Sequence, residues 1–88
     1  MAFEVIWSPA AETRLAELWL QAEDRPEIRA AADRLDESLR HSPKTMGESR
    51  SEDQRVAFDG PLGCSYRVDP DLQLVLVLSI WQSSRRSR

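Results

Sequence analysis

Few side chains of this 88-residue chain could do chemistry, and arginine dominates them. Arg55 and Arg67 fall opposite the inward-facing sets of two predicted strands, which places both on one exposed sheet face. Two guanidiniums on one face can grip a phosphate bidentately; the plainer alternative is that they pair with Asp59, Asp69 or Glu52 as surface ions. Arg85, Arg86 and Arg88 crowd the C-terminal end, either as a phosphate-seeking arm or as a solvated terminus. Trp81 closes the last apolar run and serves either as core or as a half-exposed platform for a target. His41 lies at the end of a predicted helix, where it meets carbonyls and the helix dipole and is not expected to catalyse. Tyr66 shares its inward parity with Cys64 and Val68, so it reads as core with its hydroxyl at a polar edge. Cys64 reads as an inert buried thiol. There is no metal-ligand spacing, Gly-rich phosphate loop or Ser/His/Asp set, and no metal or other cofactor is expected.

A single small domain has to position these groups. At this length a chain buries only a little over about 60% of its unfolded surface and is marginally stable alone, so a partner chain matters for stability. The net charge of −3 hides an asymmetry: residues 1–53 hold 12 acids against 7 Lys and Arg, and residues 54–88 hold 3 acids against 5 Arg. Any polyanion must therefore be met by the second half, and a pI near 5.1 excludes a general nucleic-acid coat. Nothing at Met1 resembles a secretory leader, and one cysteine makes no internal disulfide, so a cytoplasmic protein is expected.

The run Leu72 to Trp81 (LQLVLVLSIW) is apolar on both alternating faces. Leu72, Leu74, Leu76, Leu78 and Ile80 form one set; Val75, Val77 and Trp81 form the other. Such a run belongs at the centre of a sheet, and ten residues are too few to span a bilayer, so no membrane is expected. Ala2 to Trp7 alternates Phe3, Val5 and Trp7 against Glu4 and Ile6, a first strand. Ser8-Pro9 starts a helix that runs to about Ala22, with Ala11, Leu15, Leu18, Trp19 and Ala22 in one stripe. Asp24, Pro26 and Glu27 start a second helix, with Ile28, Ala32, Leu35 and Leu39 inward, and Ser42-Pro43 ends it. Trp7 and Trp19 read as core.

Pro43 to Asp53 is polar and aperiodic, a surface loop expected to be mobile. Arg55 to Phe58 reads as a short strand with Val56 and Phe58 inward; Cys64, Tyr66 and Val68 alternate inward on the next. The expected fold class is α+β, in the order β-α-α-β-β-β, with a helical hairpin on one face of a small antiparallel sheet and the last strand central. Counting directions makes the first strand antiparallel to the last. Residues 1–81 form the domain, and 82–88 form a polar basic tail expected to be disordered.

An apolar strand ending in Trp7-Ser8-Pro9, an Ala-rich helix with Leu18-Trp19, a second helix ending in Ser42-Pro43, then Tyr66-Arg67-Val68-Asp69 and a strand ending in Ser79-Ile80-Trp81 together resemble the RelE/ParE superfamily. These are toxins of bacterial toxin–antitoxin modules, also called plasmid-stabilisation proteins. The resemblance covers Phe3 to Trp81. It implies an antitoxin partner that wraps the toxin, and a target that is either the ribosome with its mRNA or DNA gyrase. The message-cleaving members carry basic residues on the second strand, an arginine at the start of the third, and an arginine and a tyrosine after the last. Here the second strand offers only Arg55, the third opens Gly63-Cys64-Ser65, and Gln82-Ser83-Ser84 follows Trp81. The resemblance thus implies a toxin of the non-cleaving kind, or a non-toxic binding module on the same scaffold, with Arg55, Arg67, Trp81, Arg85 and Arg86 as the candidate contact residues.

Overall fold

A computed structural model describes residues 2–45, 47–50 and 54–83. Strand β1 (Glu4–Trp7) leads into helix α1 (Pro9–Gln21) and helix α2 (Arg25–His41), followed by strands β2 (Glu48–Ser49), β3 (Gln54–Asp59), β4 (Leu62–Asp69) and β5 (Leu74–Gln82). The sheet order is β1-β5-β4-β3-β2, so the apolar run is internal, between β1 and β4. Both helices cover one face, as the expected α+β class requires.

The helix starts are local chemistry. Ser8 Oγ accepts from the Ala11 amide at 3.1 Å and donates to the Leu78 carbonyl at 3.2 Å, so one hydroxyl caps α1 and pins it to the central strand. Asp24 caps α2 by accepting from the Glu27 amide at 3.1 Å. Each such cap stabilises its helix by about 1 kcal/mol. Beneath the helices lie Leu18, Ile28, Ala32, Leu35 and Leu39, packed on Val75, Val77, Cys64 and Tyr66 of the sheet.

The structure corrects the sequence reading at four places. Where a loop is expected, Glu48 and Ser49 form the short edge strand β2, paired antiparallel with β3; residues 46 and 51–53 of that segment lie outside the described residues. That strand adds one reversal of the chain, so β1 runs parallel to β5, not antiparallel. The second correction is a bulge in β5. Ser65 pairs with Ser79 but Tyr66 pairs with Val77, so Leu78 is an extra residue and the alternation flips beyond it. Ile80 joins Val75 and Val77 under the helices, and Trp81 passes to the face with Leu74 and Leu76.

The third correction is the face of β3. Ala57 is buried and Phe58 is 47% exposed, the reverse of the expected set. Ala57 sets a small side chain on the helix side, and helix α2 stays near the strand end: a Cβ at Gly60, in the β3–β4 turn, would stand 3.3 Å from Arg34 and 3.9 Å from Ala31. Arg34 of α2 also reaches Asp59 at 2.7 Å, clamping the strand end to the helix. The fourth concerns Trp19, which is 37% exposed, with the Arg25 guanidinium 4.6 Å above its ring.

Candidate functional site

The helices leave the second face of the sheet open, and its residues follow from the register. Across its lower edge run Glu4, Leu74 and Asp69; above them Ile6, Leu76, Arg67 and Gln54; then Ser79, Ser65, Val56 and Glu48; and at the top Trp81, Gly63 and Phe58. Ile6 is 41% exposed, Arg67 and Ser79 are exposed, and Leu74, Leu76 and Trp81 are half-buried. The middle is polar: Ser65 and Ser79 share a hydroxyl–hydroxyl hydrogen bond of 2.6 Å, two residues along β4 from Arg67.

At the top, Phe58 and Trp81 meet edge to face, with centroids 6.1 Å apart and planes at 79°. Gly63 makes this possible. A Cβ there would lie 2.6 Å from Trp81 Nε1 and 2.8 Å from Phe58 Cε1, so the rings lean over bare backbone.

Arg67 and Trp81 therefore share the open face, whereas Arg55 does not join them. It pairs across the ladder with Tyr66, whose ring is buried beneath the helices, and it donates to the Gly47 carbonyl at 3.3 Å. The cause is the same turn of β3 that puts Phe58 outside. Tyr66 Oη donates to the Pro43 carbonyl at 2.9 Å, so Tyr66 and Arg55 together hold the segment after α2 against the sheet. Burial raises the Tyr66 hydroxyl pKa, and the Arg55 guanidinium opposes that rise. Burial also pushes the Cys64 thiol up to about 11, which keeps it protonated and unreactive. His41 faces Glu37 one turn back on α2 at 2.8 Å. Arg85, Arg86 and Arg88 lie outside the described residues.

A second feature lies in the helix layer. The helices α1 and α2 diverge around a groove of about 540 Å³ lined by Leu15, Ala16 and Trp19 on one side, Ile28 and Ala32 on the other, with Trp7 also in its wall. Glu12, Asp33, Asp36 and Arg29 rim it. Trp7 Nε1 donates to Asp36 at 3.2 Å, and Arg40 holds the other oxygen of that carboxylate. Reading Trp7 and Trp19 as core hides this groove; the spacing Glu12, Leu15, Ala16, Trp19 is the signal that one face of α1 continues past the core. Among the described residues no group of three His, Cys, Asp or Glu side chains could hold a metal, and no helix is long and apolar enough to cross a membrane.

This architecture is the RelE/ParE fold. It superposes on a chain of the toxin–antitoxin complex RelBE2 from Mycobacterium tuberculosis with a TM-score of 0.80 at 17% identity, covering 97% of this chain and 95% of that one. The chromosomal ParDE system of P. aeruginosa gives a TM-score of 0.71 at 13% identity, over 93% of this chain and 97% of that one. The isolated E. coli RelE toxin gives 0.67 at 18% identity, over 98% and 89%. No protein-family model and no curated protein sequence matches the chain.

Proposed function

We propose that this chain is the toxin component of a toxin–antitoxin pair, acting on a macromolecular target through its open sheet face and neutralised by an antitoxin. The observation that carries this reading is the end-to-end likeness to chains from toxin–antitoxin systems, over 97% and 93% of this chain and 95% and 97% of those. The groove between α1 and α2 supports it. It has the apolar floor that a partner helix needs, and the acidic rim at Glu12 suits a basic residue on that helix. Message cleavage is not part of the proposal, since among the described strand residues that lie on the open face Arg67 is the one cation and no histidine or tyrosine shares that face.

The test is growth of a bacterial host during tightly controlled expression of the chain alone, with plating afterwards. Arrest or killing is expected, and a DNA-damage response or message cutting then separates gyrase from the ribosome. Unimpaired growth at confirmed soluble expression would favour a second reading, a binding module without toxicity, for which the sparse charge of the open face speaks. Ala16→Glu, an exposed change in the groove, should weaken antitoxin rescue while leaving arrest intact.

A further inference from the structure

We propose that Arg25 is a positioning residue for the groove between α1 and α2: its guanidinium holds the Trp19 indole as a groove wall, so that the groove is formed before a partner arrives. This rests on the reading of that groove as the partner's seat and names what keeps the seat ready. The first ground is how Arg25 is itself held. Helix α1 ends at Gln21 with no basic residue in its last turn, and Arg25, the first residue of α2, reaches back to supply one. Its Nε donates to the Trp19 carbonyl at 3.1 Å and its Nη2 to the Leu20 carbonyl at 3.1 Å. These are among the last carbonyls of the helix, which have no partner further along it and stand at the negative end of its dipole. Two bonds to backbone fix the guanidinium plane, and its Cζ then lies 4.6 Å from the centroid of the Trp19 ring.

The second ground is that Trp19 needs a support. The indole stands in the last turn of α1, on the same face as Leu15 and Ala16, with which it lines the groove. It is 37% exposed, so packing covers it incompletely, and a ring on a helix surface has more than one staggered rotamer open to it. Trp7, the other indole of the groove, is half-buried and is tied through its Nε1–H to Asp36 at 3.2 Å. Among the described residues no hydrogen bond ties the Trp19 ring, and the guanidinium above it takes that part. Arg25 lies outside the groove lining, so it acts through Trp19 and not by touching a partner. A partner that meets an ordered wall freezes less side-chain freedom on binding, which is how a preformed groove gains affinity. Lysine would not substitute, because its ammonium rides on a flexible stem and lacks the planar fork that holds two carbonyls and a ring at once.

The test reads the ring directly, by fluorine NMR on the full chain with its tryptophans replaced by fluorotryptophan and the lines assigned through Trp7→Phe, Trp19→Phe and Trp81→Phe. Arg25→Met and Arg25→Lys are each expected to shift and broaden the Trp19 line and to leave the Trp7 and Trp81 lines in place. A nitroxide label on Ala16→Cys, in a Cys64→Ala background, then reports on the groove: its electron spin resonance spectrum should show slower motion in the chain that keeps Arg25 than in either variant. An unchanged Trp19 line in both variants, a parent-like line in Arg25→Lys, or an unchanged label spectrum would each overturn the proposal. So would the loss of all three tryptophan lines together, which would make Arg25 a support of the whole fold and not of the ring. Growth arrest is read separately: a moved Trp19 line without arrest rejects only the toxin reading, and arrest with an unmoved line rejects only this inference.

Discussion

The composition of the open face depends on the β5 bulge, and the bulge makes a prediction that two substitutions decide. With Leu78 as the extra residue, Ile80 is 2% exposed under the helices and Ser79 is on the open side. Ile80→Ala then removes a fully packed side chain, at a cost of about 2–5 kcal/mol. A domain of this size has a stability of roughly 4–13 kcal/mol, so this is a large share of the total. Ser79→Lys loses one exposed hydroxyl hydrogen bond and places its charge in water, which costs about 1 kcal/mol or less. Strict alternation along β5 reverses the order, because Ser79 would lie beside Val77 in the core and Ile80 on the open face. Urea unfolding followed by far-UV circular dichroism measures both. At a slope of about 1 kcal/mol per molar urea, Ile80→Ala should lower the midpoint by about 2 M or more and Ser79→Lys by about 1 M or less. An unfolded Ser79→Lys beside an Ile80→Ala variant with an unchanged midpoint would refute the bulge and the face built on it.

Three further outcomes follow from other parts of the molecule. Because burial raises the Cys64 thiol from its ordinary value of 9.0 to about 11, the unfolded chain ionises first: the stabilisation is complete below pH 9 and is lost as pH rises towards 11. The loss is about 3 kcal/mol, visible as a falling melting temperature that Cys64→Ala flattens. Tyr66→Phe leaves the buried Pro43 carbonyl without its donor and should cost about 1–3 kcal/mol, with faster amide exchange at Lys44 and Thr45. Gly47→Ala meets both a φ of +70° and a clash of the new Cβ with the Val56 carbonyl oxygen, which is backbone that cannot step aside. It should detach β2 from β3 and lower stability by about 1–3 kcal/mol in the same urea titration.

The parts of the fold that were legible in the sequence are those set by local chemistry. Ser8 and Asp24 announce both helix starts, and the spacing of Ile28, Ala32, Leu35 and Leu39 gives the buried stripe of α2. The inward set Cys64, Tyr66 and Val68 also holds, since β4 carries no irregularity of its own within it. What escaped depends on neighbours. A two-residue strand with both side chains exposed has no periodicity to detect, yet β2 decides the direction of β1 through the count of reversals. The bulge leaves no mark in LVLVLSIW, because no Gly or Pro announces it. Tertiary contacts fix it, where the chain start of α1 hydrogen-bonds Val77 and Leu78 through Ser8. The exposed position of Phe58 and the inward position of Arg55 come from the closeness of α2 over β3, a distance that β3 alone does not encode. Arg67 and Trp81, both named from the sequence, share the open face only because of the bulge, since strict alternation sets Trp81 with Val75 and Val77; Phe58 was expected inward, and the roles of Gly63 and Ser79 on that face were not foreseen.

The groove and the open face lie on opposite sides of one sheet, and this constrains how the proposed neutralisation would work. A helix seated between α1 and α2 completes the helix layer and touches none of the open-face residues, so by itself it does not cover them. An antitoxin that blocks the target face has to carry a second segment around a sheet edge. The β1 edge is the shorter route, because Trp7 lines the groove while its neighbour Ile6 already stands on the open face. β1 is also an edge strand, with its β5 side satisfied by the amides of Glu4 and Ser8, and an added strand there would join the two segments. An antitoxin cut back to its groove helix should then bind this chain without relieving growth arrest, and full relief by that fragment would mean that the groove acts on the target site at a distance.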